Sequence, residues 1–285
     1  MPASATNCGP MIRAFPSEMD PGSRKENASK KEFPAAEITE DGFLGGQLRL
    51  RQPKGGHRAG HDAILLAAAT PARSGDRVVD LGAGVGAAGL AVARRVRGID
   101  LVLVEIDPAM AELARNNAGA NAIMAEVVIL DVEADAPAFA AAGLAPDSAD
   151  VVLMNPPFND PSRHRASPDG VRERAHVATA TTLANWVHAA RRLLRSNGQL
   201  AMIWRADGIA DVLAALDRGF GSLELLPVHA DATSPAIRIL VRATKGGRAP
   251  TRLHAALLLN DGAGVPNKWV QEILAGKGEL PLARR

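Results

Sequence analysis

Arg77-Val78-Val79-Asp80-Leu81-Gly82-Ala83-Gly84-Val85-Gly86-Ala87-Ala88-Gly89-Leu90 is the stretch that decides the fold. A short apolar strand runs into a Gly-rich turn and then an Ala-rich helix. Glycines let the backbone adopt positive φ and come close to a ligand, and the start of the helix offers free N–H groups to a negative or polar one. A second strand follows, Ile99-Asp100-Leu101-Val102-Leu103-Val104-Glu105, ending in an acid. Glu105 lies about twenty residues beyond the glycines, the spacing at which a carboxylate reaches the ribose hydroxyls of a nucleotide. Gly82-x-Gly84-x-x-Ala87 also fits a dinucleotide fingerprint, so NAD stands as an alternative ligand. Asp80, just before the glycines, suits a ligand with an amino acid or sulfonium end better than one with a pyrophosphate. A strand-end cap is the other reading of Asp80, and a solvated strand end that of Glu105.

Two more strand ends carry polar groups. Ala125-Glu126-Val127-Val128-Ile129-Leu130-Asp131-Val132 reads as strand, and places Asp131 where an adenine amino group could be read; a helix N-cap for the segment from Ala134 is its other reading. Ala149-Asp150-Val151-Val152-Leu153-Met154 is a buried strand that leaves the sheet as Asn155-Pro156-Pro157-Phe158. Proline has no N–H and a fixed φ, and it pushes the preceding residue extended, so the two prolines make a stiff bend. That bend presents the Asn155 amide, the Pro156 carbonyl and the Phe158 ring on one rim. Two oxygen acceptors match the two hydrogens of a planar NH2 group, and a ring beside them stacks on the flat system that bears it.

Asp80, Glu105 and Asp131 at three successive strand ends, with Asn-Pro-Pro-Phe at the fourth, resemble the class I S-adenosylmethionine-dependent methyltransferases over residues 42–245. The resemblance implies an α/β, Rossmann-like fold: a mostly parallel seven-stranded sheet with its last strand antiparallel. It also implies S-adenosylmethionine held by Asp80, Gly82, Gly84, Gly86, Glu105, Asp131 and Asn155, and a catalytic group of Asn155, Pro156 and Phe158. The catalytic loop marks the amino-methylating branch, which includes adenine-N6, guanine-N2 and glutamine-N5 enzymes. The pattern Gly56-x-Arg58-x-Gly60-x-Asp62-x-x-Leu65-Leu66 looks like the bacterial tRNA(Val) adenine-N6 methyltransferase family, whose target is the adenosine just 3′ of the anticodon. The chain departs from that family in a long N-terminal tail and in an extension from Pro250. Guanine-N2 methylation of rRNA and glutamine-N5 methylation of a protein are the alternatives within the branch. A helical bundle expected ahead of the glutamine enzymes, and a duplicated half expected in the guanine enzymes, are not read in the sequence.

Composition fits this reading. The chain has 285 residues, 47% hydrophobic and 22% charged, which suits one globular domain with a sizeable core. A net charge of +2 is too mild to announce a nucleic-acid binder on its own. A single cysteine, Cys8, excludes an internal disulfide framework and fits a reducing cytoplasm; no leader, membrane span or metal-ligand spacing is read. Residues 1–40, rich in Pro, Ser, Gly and mixed charge, read as a disordered tail. Residues 41–248 form the methyltransferase domain, and 249–285 a C-terminal extension. Leu48-Arg49-Leu50-Arg51 suggests a short β hairpin with basic residues on one face, and Asp62 a cap for the apolar helix after it.

The segment after the catalytic motif points to RNA as partner. Asn159 to Gly170 is rich in Gly and Pro, reads as a mobile loop and leads into Val171-Arg172-Glu173-Arg174-Ala175-His176. Pro157, Arg163, Arg165, Arg172, Arg174 and His176 are the candidate substrate-binding residues. Arginines there would neutralise phosphates and position a strand without reading its sequence.

Overall fold

In a computed structural model, residues 37–55, 58–157, 169–261 and 264–285 are described, 169–179 as backbone only. The Gly-rich stretch opens as expected: strand β3 (Arg77–Leu81), then helix α2 (Ala87–Arg95). The chain continues with β4 (Asp100–Glu105), α3 (Pro108–Ala120), β5 (Glu126–Ile129), α4 (Ala136–Ala141), β6 (Ala149–Met154) and α5 (Asp169–Leu193). Then come β7 (Leu194–Arg205), α6 (Ile209–Leu216), β8 (Phe220–His229) and β9 (Ala236–Lys245).

Seven of these strands lie side by side in the order β8-β9-β7-β6-β3-β4-β5. The pairs β3/β4, β3/β6, β4/β5 and β6/β7 are parallel, and β9 runs antiparallel to both of its neighbours. The central parallel strands β3, β4 and β6 carry apolar runs through their middles because the sheet is covered there on both faces. Val78, Leu101, Leu103, Val151 and Leu153 pack on one side with α1 (His61–Ala69), α2 and α3. Val79, Val102, Val104, Val152 and Met154 pack on the other with residues of α5 and α6. Strand order reverses between β3 and β6, and in open α/β sheets ligands sit beyond the carboxyl ends at that switch point.

Ahead of the domain is the expected hairpin, β1 (Ile38–Phe43) with β2 (Leu48–Pro53). Leu48 and Leu50 are fully buried while Arg49 and Arg51 are exposed. β1 begins inside the stretch read as tail: Ile38-Thr39-Glu40-Asp41-Gly42-Phe43 shows no apolar alternation, so it is not seen as strand without its partner. The N-cap of α1 is Gly60 and carries no side-chain cap, so the role given to Asp62 is corrected. Asp62 stands in the first turn and instead accepts from Arg238 Nε on β9 at 2.9 Å. Helix α5 starts at Asp169, so Arg172, Arg174 and His176 fall within it rather than in the loop before it.

Residues 249–285 extend the sheet beyond seven strands. Strands β10 (Arg252–Leu253) and β11 (Leu257–Leu258) add to β8 in parallel, and α7 (Lys268–Leu274) packs against α1. Leu280 donates its N–H to Ala68 O at 2.8 Å, and the Leu280 and Leu282 side chains are fully buried. Beneath them Arg242 of β9 joins Glu224 of β8 and the carbonyls of Leu282 and Arg284, while His254 Nε2 stands 2.7 Å from the other Glu224 oxygen. The C-terminal residues thus lie over buried charges and supply part of the core. Leu282→Ala is expected to lower unfolding free energy by about 2–5 kcal/mol, as for other buried leucines; urea titration would register it as a lower midpoint with little change in slope.

Candidate functional site

Strand register sets which residues share the carboxyl edge. Leu81 pairs with Val104 on one side and Met154 on the other. The next residues along are therefore Gly82, Glu105 and Asn155, side by side at the switch point on strands about 4.8 Å apart.

The loop between β3 and α2 is tied down before any ligand arrives. Gly82 and Ala83 both donate N–H groups to Val104 O at 2.9 Å, and Gly86 donates to Ala83 O at 2.8 Å. Gly82, Gly84 and Gly86 have φ of 71, 57 and 86°, the left-handed region that disfavours a side chain. What lies beyond each Cα differs. A Cβ on Gly82 would stand 2.3 Å from the Trp186 ring of α5, and one on Gly86 3.0 Å from Leu103. At Gly84 the nearest atom would be Met110 Cε at 3.9 Å, so open space remains there alone of the three. Gly82 and Gly86 are thus needed by the protein's own packing, and Gly84 keeps the cradle.

Glu105 is buried and clamps this loop. Its carboxylate accepts from Gly84 N–H at 2.7 Å and from Asp107 N–H at 2.9 Å. A carboxylate has about four lone-pair sites, so two stay free for hydroxyls. Asp107 in turn caps α3, accepting from Ala109 and Met110 N–H groups ahead of Pro108. Beside Glu105, Ile106 is 60% exposed, an apolar platform at a strand end that reading the acids alone passed over.

Asp80 lies behind the loop. It is 2% exposed and accepts from Gly89 N–H in α2 at 2.8 Å. Burial pushes its carboxyl up to about 7; the Gly89 N–H pulls the other way and the Glu105 carboxylate adds to the rise. Asp131 is exposed and accepts from Glu133 N–H at 2.9 Å, past the end of β5. The N-cap of α4 is Asp135, so the alternative reading of Asp131 as that cap does not hold.

Asn155 follows β6 directly. Its Oδ1 is shielded from solvent and has no hydrogen-bond partner among the described residues. A buried amide oxygen left unpaired costs about 1–3 kcal/mol, so it is an acceptor waiting for a donor. Pro156 is buried and Pro157 exposed. Phe158, Arg163 and Arg165 lie outside the described residues. Arg172, Arg174 and His176 fall on the backbone of α5, with side chains outside them. Among the described residues no group of His, Cys, Asp and Glu could hold a metal, and no helix is long and apolar enough to cross a membrane.

The model of the methyltransferase small domain matches residues 60–230, which include β3 to β8 and the whole edge just described. The chain belongs to the methyltransferase small domain family. It is an S-adenosylmethionine-dependent methyltransferase, and the NAD alternative falls. A tRNA1(Val) (adenine(37)-N6)-methyltransferase of Dickeya chrysanthemi is 29% identical over 210 residues, 73% of this chain and 81% of the relative. A crystal structure of a predicted O-methyltransferase from Agrobacterium tumefaciens is 32% identical, with a TM-score of 0.64, and covers 77% of this chain and 98% of its own. The Thermus thermophilus 16S rRNA N2 methyltransferase, solved with AdoMet and guanosine, shares the fold at a TM-score of 0.50 and 20% identity, over 73% of this chain and 50% of its own. The open face of Gly84, the two unused lone pairs of Glu105 and exposed Ile106 fit the ribose and adenine of that cofactor.

Asp80 gives this methyltransferase a pH signature. Its folded pKa, about 7, lies above the ordinary 3.8, so the protonated carboxyl favours the fold. That contribution is complete below about pH 4 and is lost as pH rises through about 7. Asp80→Asn keeps an acceptor for Gly89 N–H without ionising. Its stability relative to wild type is expected to rise by a few kcal/mol, to order of magnitude, between about pH 4 and 7; denaturant titrations across that window measure the difference.

Proposed function

We propose that this enzyme methylates the N6 amine of an adenosine in RNA, with tRNA beside the anticodon as substrate. The observation that carries the reading is the buried, unpartnered Oδ1 of Asn155, next in line to the cofactor cradle. The names of curated relatives, tRNA1(Val) adenine-N6 methyltransferases, point the same way.

The cofactor supplies an electrophilic methyl group on a sulfonium. The chain would hold the acceptor. A base in a single-stranded RNA loop is splayed out at small cost. Asn155 Oδ1 and the Pro156 carbonyl accept the two N6 hydrogens, and Phe158 stacks on the ring. These acceptors draw the nitrogen lone pair out of conjugation and aim it at the methyl group. As positive charge builds on nitrogen they stabilise it, and fixed orientation carries much of the rate. The candidate contacts Pro157, Arg163, Arg165, Arg172, Arg174 and His176 would grip the loop and its phosphates.

The test incubates the protein with labelled S-adenosylmethionine and, separately, unmodified tRNA, rRNA and a release factor. Digestion of the labelled product is expected to give N6-methyladenosine from tRNA. Label on guanine, on a glutamine amide or on a ribose oxygen would overturn the substrate reading and leave the enzyme class intact. Asn155→Ala is expected to lower kcat by about 10²–10³-fold, the effect of removing one preorganised hydrogen-bonding group at a reacting centre. Its affinity for S-adenosylhomocysteine should stay within about twofold, since on this reading Asn155 is one of seven cofactor-holding residues and its amide oxygen serves the acceptor amine. Normal turnover by this variant would remove Asn155 from the mechanism.

A further inference from the structure

Asn117, on α3, is fully buried and uses its whole amide. Its Oδ1 accepts from Arg51 N–H at 2.7 Å, and its Nδ2 donates to Arg51 O and to Val85 O, each at 3.0 Å. One turn on, Asn121 repeats the first half of this arrangement. Its Oδ1 accepts from Arg49 N–H at 2.9 Å, and its Nδ2 donates to Arg49 O at 2.8 Å. Arg49 and Arg51 turn their backbone groups to the same edge of β2. Two asparagines four residues apart on one helix face therefore stand in for a third strand of the hairpin. A two-stranded hairpin alone is marginal, and an open edge is a liability.

Asn121 spends its third bond within the helix end, donating from Nδ2 to Asn117 O at 2.7 Å, whereas the third bond of Asn117 goes to the Gly-rich loop. The Val85–Gly86 peptide is held at both polar ends: its oxygen by Asn117 Nδ2 and its N–H by Ala83 O. Gly84 and Gly86 flank Val85 with φ of 57 and 86°. Glycines on both sides leave that peptide free to turn, so fixing it requires bonds from outside the loop. Gly84 N–H then meets Glu105, the carboxylate that faces the open cradle.

We propose that Asn117 is a positioning residue for the cofactor site: it sets the Val85–Gly86 peptide and couples it to β2 of the basic hairpin. The inference rests on reading Gly84 and Glu105 as the cradle. Hairpin displacement and cofactor affinity are then linked through one side chain, and whatever binds the hairpin also loads the loop.

Calorimetry with S-adenosylhomocysteine on the full chain tests this, alongside thermal melts. Asn117→Asp keeps the size and the acceptor for Arg51 N–H but removes the NH2 group that both Arg51 O and Val85 O need, so the Asn121 variant is the control for the hairpin part of the loss. Its Kd is expected to rise about tenfold, the size expected when a buried acceptor is left unpaired. Asn121→Asp loosens the hairpin latch without touching the loop. It should lower the melting temperature comparably and leave Kd within about twofold. If Asn117→Asp melts without a cooperative transition, Asn117→Ser serves as the reporter, with the same expected rise. Unchanged Kd in the Asn117 variant, or an equal rise in the Asn121 variant, overturns the proposal. Glu105→Ala separates the two layers: if it binds like wild type, the cradle reading itself fails. If it loses binding while the Asn117 variant does not, only the role of Asn117 falls.

Discussion

Leu81 sits in register between Val104 and Met154, and the rest of the site follows from that pairing. Parallel strands carry slanted, evenly spaced hydrogen bonds, and a slip of one residue would turn every side chain to the opposite face. Each of these strands is buried on both sides, so their faces are filled by different neighbours and the register is strongly held. Because three strands end together, Gly82, Glu105 and Asn155 emerge in a row without any loop having to place them. These candidate groups are the last residue of one strand and the first residues past two others, which makes their spacing a property of the sheet.

Above that edge the glycines divide their work. Gly82 and Gly89 admit the Trp186 ring and the Leu103 side chain at distances that no Cβ tolerates, and Gly86 starts α2 in a left-handed turn. These three serve the protein's interior. Gly84 alone opens outward, and its N–H is the one fastened to Glu105. A Gly-rich motif read as a ligand site is in this chain mostly a close-packing device with one outward-facing position. The same pattern occurs in dinucleotide-binding folds because both solve the problem of a helix leaving a strand at a tight turn.

The sheet was legible from apolar runs and turn residues, since burial on both faces leaves a signal that needs no knowledge of partners. Glu105 and Asn155 were legible because a polar residue closing an apolar run has few structural reasons to be there. Asn117 was not. Its role depends on Arg51 and Val85, 66 and 32 residues away in sequence. An asparagine in a helix of mixed polarity carries no mark of burial. Asp62 misled for the opposite reason: an acid ahead of an apolar helix looks like a cap, and the competing partner Arg238 is 176 residues distant. The C-terminal residues read as an appendage because their apolar side chains, Leu280 and Leu282, fall in a run too short to show a period.

The names of the relatives differ over the atom methylated: adenine N6 in the D. chrysanthemi protein, oxygen in the A. tumefaciens protein, which is named a predicted O-methyltransferase. Local chemistry bears on that difference. A hydroxyl oxygen attacks well only after losing its proton, so oxygen methylation calls for a base aimed at the acceptor. An exocyclic amine attacks with its own lone pair and sheds a proton afterwards. It asks for acceptors that hold its hydrogens while positive charge develops. Asn155 presents an amide oxygen, which accepts hydrogen bonds but does not take up a proton near neutral pH. Among the described residues, the carboxylates nearest in the sheet are Glu105, which holds the loop and offers its remaining lone pairs to the cradle, and Asp80, which accepts from Gly89 behind it. A strand end that offers a neutral, buried, unpaired acceptor is suited to an amine, and this is the physical ground on which the nitrogen reading stands apart from the names of relatives.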